Sequence, residues 1–399
     1  MTEFTDTKLR DKEYVAPTYA RFDLEIARGA GSLVYDREGR EYIDLSTGIA
    51  VNTFGVADSE WINAVTAQLS AVQHTSNLYF SEPCTRLAEL LCTRTGAKKV
   101  FFGNSGAEAN ECAIKVARKW AKDTKGSGDY NIITLKNSFH GRTITTLKAT
   151  GQDVFHTDFG PFPEGFLYAE ANNLADVERL VKENECCAIM MEAVQGEGGV
   201  LPLERDFVVG VERLARENGL LLIFDEVQTG NGRTGELYAY MNYGVTPDVV
   251  TTAKGLGGGL PIGAALLFER VENTLTGGTH GSTFGGNPIA CAGAVNIIER
   301  IDDEVLKGVR ERSKYIFDTL EGAQGIKSVS GMGLMIGIET VADSSAVLKE
   351  CMKRGILPIK AKSKIRLLPA LNIPMELLHK AIEIIKNVAG EMVNGTNQS

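Results

Sequence analysis

The run Gly219-Leu-Leu-Leu-Ile-Phe-Asp-Glu-Val-Gln228 constrains the fold more tightly than any other stretch of the chain. Leu220 to Phe224 is an apolar segment of strand length, and an uninterrupted apolar run suits a strand covered on both faces, as parallel sheets require. The run ends in an acid. Asp225 is therefore expected at the carboxyl end of the strand, the edge at which open α/β sheets hold ligands. A second apolar run, Val249 to Thr252, delivers Lys254 to the same edge within Thr251-Thr-Ala-Lys254-Gly-Leu-Gly-Gly-Gly259. Val100 to Gly103, Ile132 to Leu135, Ala188 to Met191 and Ala264 to Phe268 are further strand candidates, interleaved with helical apolar spacing at 107–122, 207–218 and 288–300. That alternation predicts an α/β domain with a mainly parallel central sheet and helices on both faces.

The two ends of the chain differ in character. Leu33 to Asp44 reads as two strands joined by a turn at Arg37 to Gly39, while Val329 to Ile338 and Ile365 to Pro369 read as strands between helices at 344–354 and 374–389. Both ends together are expected to form a smaller α+β domain from 1–55 and 306–399, leaving 56–305 as the large domain. Asn394 to Ser399 is expected to be a frayed tail.

Charge narrows the partners. A formal charge of −9, with no lysine- or arginine-rich tract, argues against a nucleic-acid footprint and for small-molecule partners. The amino terminus lacks an apolar signal core and no apolar stretch approaches the ~20 residues of a membrane span, so no membrane role and a cytoplasmic location are expected. Seven cysteines, without paired CxxC motifs, show neither a disulfide framework nor metal-ligand spacing and read as reduced core residues.

A desolvated lysine beside a glycine-rich loop, within reach of a buried carboxylate, suits a Schiff base to an aldehyde cofactor whose ring nitrogen the carboxylate keeps protonated. That chemistry is pyridoxal phosphate's. Either piece alone would read as ordinary structure, since strands ending in Asp-Glu are common in nucleotide-binding folds. In Phe102-Gly-Asn-Ser105-Gly106-Ala107-Glu-Ala-Asn110 a strand breaks at small residues and a helix begins, so free backbone amides and the Ser105 hydroxyl can face a phosphate. A capped helix without a ligand is the plainer alternative. Thr279 to Pro288 offers a second segment of hydroxyls and glycines.

NSGAEAN, SFHGRT, EAVQGEGG, LLIFDEVQTG, AKGLGGGLPIGA and HGSTFGGNP, in this order and spacing, resemble the class III (subgroup II) pyridoxal-phosphate aminotransferases from about Tyr19 to Ile385. The resemblance implies the fold-type I architecture and a homodimer with active sites at the subunit interface. It implies that Lys254 forms the Schiff base and then shuttles the proton, that Asp225 pairs with the ring nitrogen, and that Gln228 bonds the phenolic oxygen. Phe139 and Val227 would cover the two ring faces. Ser105, Gly106 and Ala107 would hold the phosphate, joined by Thr283 from the neighbouring subunit. Arg142 would pair with the substrate α-carboxylate, a job for which planar guanidinium geometry is suited. Arg366 would clamp the second carboxylate of 2-oxoglutarate, Glu197 would be its switch partner, and Ser282 would reach the substrate from the partner chain. His140, beside the stacking aromatic, is expected to be structural rather than an acid or base.

Within the family the chain resembles the acetylornithine group, through Gly48 where ornithine-specific members carry tyrosine and through His74-Thr-Ser-Asn77-Leu-Tyr-Phe80. An acylated ornithine as donor, 2-oxoglutarate as acceptor and a step of arginine biosynthesis are implied. N-Succinylornithine, N-succinyl-diaminopimelate, ornithine and 4-aminobutyrate stay open as donors. Departures are local: Phe54-Gly-Val-Ala-Asp-Ser-Glu60 replaces a usual Gly-His-x-His-Pro, implying a changed helix entry near the subunit interface. Asn231 replaces a usual methionine and Ala193 a frequent proline, neither expected to touch a group that performs chemistry. A fold of this kind reused as a non-enzymatic binding protein would show loss of the lysine, the ring acid or the phosphate loop. All three are intact.

Overall fold

The computed structural model describes residues 3–126, 128 and 130–396. Its centre is a sheet of seven strands: β1 (Lys99–Gly103), β2 (Asn131–Leu135), β3 (Phe166–Ala169), β4 (Cys186–Met191), β5 (Leu221–Asp225), β6 (Val249–Thr252) and β7 (Gly263–Leu267). Their spatial order is β1-β7-β6-β5-β4-β2-β3. Six strands run parallel, and β7 alone runs against both its neighbours.

Alternation along the strands divides the core into two layers. Ile189, Met191, Leu222, Phe224, Val250 and Leu266 face one side, where helix Arg205–Glu217 contributes Phe207, Val208 and Val211. Ala188, Met190, Leu221, Ile223, Val249 and Ala265 face the other, against Cys112, Ala113, Val116 and Ala117 of helix Gly106–Lys125. Every residue of β4, β5, β6 and β7 is buried, which is why these strands read as continuous apolar runs. The architecture is the expected α/β one, a mainly parallel sheet with helices on both faces. β3 was not anticipated: it is a four-residue strand at the sheet edge and carries too short an apolar pattern to register.

The chain ends meet. Strands Ile26–Ala30, Leu33–Asp36 and Glu41–Asp44 form a second sheet whose fourth member is Ile356–Leu357, with Ile43 paired to Ile356 in parallel. The turn after Asp36 is closed by its carboxylate, which accepts from Arg40 N at 2.8 Å. A third sheet holds Ile326–Met332, Met335–Thr340, Lys364–Leu367 and Ile359–Ala361. The single strand expected over Val329 to Ile338 is thus a hairpin, because Gly333 sits at φ 57 and turns the chain where a side chain would collide with the Arg233 carbonyl. Pairing of Ile43 with Ile356 supports our proposed division into 56–305 and a small unit made by 1–55 with 306–399. The expected frayed tail is helical through Thr396, and its last three residues lie outside the described residues.

Candidate active site

Asp225 ends β5 with only 3% of its surface exposed, so its charge needs partners. Asn110 Nδ2 donates to Asp225 Oδ2 at 2.7 Å, His140 Nδ1 lies 2.8 Å from the same oxygen, and Val227 N donates to Oδ1 at 3.0 Å. Asn110 is itself oriented by Thr251, whose hydroxyl donates to Asn110 Oδ1 at 2.6 Å. A buried acid held this way stays in place facing the cavity, ready for a cationic ring nitrogen. Beside it, burial pushes the Glu192 carboxyl up to about 7, His140 opposing the shift and Asp225 adding to it. Glu192 accepts from Phe139 N at 2.9 Å and Gly196 N at 3.3 Å, so it ties the backbone under the Phe139 ring to the loop carrying Glu197.

The other end of the cavity is a helix start. Ser105 caps helix Gly106–Lys125, its hydroxyl accepting from Glu108 N at 3.2 Å, and the first amides of that helix open toward the cavity. Only glycine fits at position 106: a β-carbon there would stand 2.6 Å from Val227 Cγ1. Val227 and Phe139 both line a cavity of about 420 Å³ that also takes in Lys254, Asp225, Gln228 and Arg142.

Lys254 opens a single 3₁₀ turn, Lys254–Leu256, at φ 46. A non-glycine residue there carries strain of about 1–3 kcal/mol, which surrounding contacts must over-determine. Burial holds its ammonium below the usual lysine range, with Glu197 opposing and Arg366 adding to the shift. A lysine made easier to deprotonate is a competent nucleophile and proton carrier.

Arg366, on strand Lys364–Leu367, is buried and donates to Glu197 Oε1 at 2.6 Å and to Gln228 Oε1 at 2.9 Å. Burial pushes the Glu197 carboxyl up, but the guanidinium outweighs it and leaves the group below the usual carboxylate range. Arg142 is exposed at the cavity, its guanidinium 4.4 Å from the Phe155 ring centre and 5.4 Å from that of Phe139. Among the sequence-derived candidates, Lys254, Asp225, Gln228, Val227, Phe139, Ser105, Gly106, Ala107 and Arg142 converge on one cavity, with Glu197 and Arg366 joined to it through Gln228.

Ser282 and Thr283 do not line that cavity. Ser282 accepts from Asn104 Nδ2 at 3.1 Å and from Gly285 N at 2.9 Å, and Thr283 is exposed. Gly48 is also exposed and outside the lining, at φ 63 in a run of left-handed residues, Thr47 to Ala50; Val51 reaches the cavity instead. A tyrosine at 48 would thus carry backbone strain as well as bulk. Asn231, expected not to touch a group that performs chemistry, donates to the Ala253 carbonyl at 3.2 Å, one residue before Lys254. Sequence reasoning missed Asn110 and Glu192. The signal for Asn110 was a polar residue on the buried stripe of an amphipathic helix, between Ala109 and Cys112.

The donor set fits pyridoxal phosphate: a buried acid for the ring nitrogen, a lysine of lowered pKa, helix-start amides where only glycine fits, and a buried His140 Nε2 without a partner beside the acid. Residues 14–389 match the family model described as aminotransferase class-III. The chain is 48% identical over 390 residues to the acetylornithine aminotransferase of Haemophilus ducreyi, covering 96% of this chain and 98% of that protein. Among solved structures it is similar to the N-acetylornithine aminotransferase of Stenotrophomonas maltophilia K279a (34% identity, TM-score 0.83, 97% of this chain and 99% of that one). It is also similar to the ornithine aminotransferase of Toxoplasma gondii, described with partial occupancy of PLP at its active site (31% identity, TM-score 0.93, 98% and 95% covered).

Proposed function

Since this chain belongs to the class-III aminotransferases, enzymes of fold-type I that work with pyridoxal phosphate, we propose that it moves the terminal amino group of N-acetylornithine to 2-oxoglutarate, giving N-acetylglutamate 5-semialdehyde and glutamate in arginine biosynthesis. The observation that carries the acceptor is the Glu197–Arg366 pair beside the lysine cavity. A guanidinium masked by a carboxylate accepts a donor without a second carboxylate, and unmasks for a dicarboxylate. The relative from Haemophilus ducreyi, matched over nearly its whole length, supports the donor.

The cofactor supplies an aldehyde that takes up amines and a pyridinium ring that absorbs electron density from the reacting carbon. This chain's residues bind and orient around it. Asp225, held by Asn110 and His140, would keep the ring nitrogen protonated, and Gln228 would bond the phenolic oxygen. Phe139 and Val227 would cover the ring faces, while Ser105, Gly106 and Ala107 would hold the phosphate. Lys254 Nζ would hold the cofactor's aldehyde carbon and, once free, would serve as the base that takes the proton from the donor carbon. Arg142 pairs with the donor α-carboxylate at the mouth of the cavity, so the terminal amine points toward Lys254.

Thr283 and Ser282 serve the active site of a second copy, which makes the working form a homodimer. Their absence from the lining of their own chain's cavity supports that reading. The test of substrate is a panel of N-acetylornithine, N-succinylornithine, N-succinyl-diaminopimelate, ornithine and 4-aminobutyrate with 2-oxoglutarate. N-Acetylornithine should lead ornithine in kcat/KM by roughly 10- to 200-fold, the range that pocket fit alone supplies. A larger constant for any other donor would refute the assignment.

A further inference from the structure

Three side chains from separate parts of the chain donate to three alternate carbonyls around Lys254. Asn231 Nδ2 reaches Ala253 O at 3.2 Å, Thr53 Oγ1 reaches Gly255 O at 2.7 Å, and Trp61 Nε1 reaches Gly257 O at 3.1 Å. Within the turn only Leu256 N to Ala253 O and Gly257 N to Lys254 O close bonds, with Leu260 N reaching Gly257 O at 3.3 Å. The Gly255 carbonyl finds no partner within the turn and takes Thr53 as its donor, while the Ala253 and Gly257 carbonyls each accept a second bond from outside it. Glycines let the donors in: a β-carbon on Gly255 would lie 2.8 Å from Thr53 Oγ1, and one on Gly258 would lie 2.8 Å from Trp61 Nε1.

The tethers are themselves anchored. Gly31 and Val56 exchange backbone bonds at 2.7 Å in each direction, and Arg300 grips both oxygens of Asp58 at 2.6 and 3.0 Å while lying 4.1 Å over the Phe54 ring. Asn231 adopts φ 57, a left-handed conformation that asparagine tolerates better than most residues. Asn231 thus bonds the turn directly, while the segment 54–60 is flanked by the other two tethers, Thr53 and Trp61.

We infer that Asn231, Thr53 and Trp61 are positioning residues that hold the strained Lys254 turn, so that the lysine amine is presented to the cofactor and then to the substrate carbon. Released from its tethers, the turn relaxes toward an ordinary φ and the amine swings off line. The inference rests on Lys254 being the lysine that bonds the cofactor, and its experiment separates the two claims.

Cofactor-free protein is mixed with pyridoxal phosphate, and condensation of Lys254 Nζ with the aldehyde, which forms a C=N bond and releases one water, is followed by absorbance. Affinity for pyridoxamine phosphate is measured in parallel; it carries an amine in place of the aldehyde, cannot bond the lysine, and so reads the cavity alone. Trp61→Phe and Thr53→Val each remove one donor and keep most of the volume. Each should slow covalent capture about 5- to 10-fold and the double variant about 30-fold or more, with pyridoxamine phosphate affinity within about twofold of the parent. Capture at the parent rate overturns the inference. So does a parallel loss of pyridoxamine phosphate binding, which would assign the segment to cavity shape. Borohydride reduction and peptide mapping of the parent locate the bonded lysine, and a site other than Lys254 refutes the underlying reading and the inference with it.

Discussion

A lysine that both bonds the cofactor and carries the proton is irreplaceable in rate but not in binding. Lys254→Ala should lower turnover by roughly 10²- to 10⁴-fold or more, the share that proton transfer by a placed group supplies. Pyridoxamine phosphate should still bind, because the ring and phosphate contacts remain. Turnover near the parent rate in that variant would remove Lys254 from the reaction. Glu226, next to Asp225 but turned away from the cavity, carries a pH signature. Burial pushes its carboxyl from the usual 4.5 up to about 7, against hydrogen bonds from the Thr229 hydroxyl and the Tyr240 amide. The folded protein holds this proton more tightly than the unfolded chain does. Its contribution to stability is therefore whole below 4.5 and is lost as pH rises through 7. Glu226→Gln should gain on the order of 1 kcal/mol or more over the parent at about pH 8.5 and almost nothing at about pH 5. Equal gains at both would show that the residue is charged throughout. Lys254 and Asp225 were legible in the sequence because each stands at or just beyond the end of an apolar run, where a polar residue must face the sheet edge. Asn110, Glu192 and the reach of Asn231 were not, since their meaning depends on partners brought from distant segments.

At the scale of elements, helix Ser59–Ala71 starts at a cap with two jobs. Asp58 Oδ1 accepts from Trp61 N at 2.9 Å while the same carboxylate pairs with Arg300. Asp58→Ala should cost about 1–3 kcal/mol from the cap and the part-buried ion pair together. Asp58→Asn, which keeps a capping oxygen, should recover the smaller share. Denaturant midpoints of the two variants separate the contributions, and an alanine variant as stable as the parent would show that neither matters. Elements with strong apolar signatures were readable to within a few residues: Val249–Thr252 and Pro288–Arg300 stand where their patterns place them. Those set by turns or edges were not. Residues 329–338 carry a strand-like pattern on both sides of Gly333, and only the left-handed backbone at that glycine reveals two strands rather than one.

For the molecule as a whole, the two most exposed large apolar side chains among the described residues, Phe80 and Leu78, stand on a segment tied to the one that carries the exposed Phe284. Leu78, Phe80 and Phe284 are 87%, 101% and 61% exposed, on segments joined by Asn77 donating to Ser282 O and Gly285 O and by Asn287 donating to Gln73 O. Such a patch on a folded chain marks an interface. If the proposed dimer forms, Phe80→Asp should shift it toward a single copy in light scattering and weaken cofactor retention, since the proposed reach of Thr283 into a neighbouring site would be lost. A parent that already runs as one copy at working concentration would end the dimer reading. The pairing of Ile43 with Ile356 has a consequence in time. A ribosome must add about 310 further residues after Ile43 emerges before its partner strand exists, which at synthesis rates of 5–20 residues per second is roughly 15 to 60 s. Through that interval the nascent amino-terminal strands wait with an open edge, so a chain stalled before Ile356 would leave the first sheet incomplete and exposed to adhesive contact with other newly made chains.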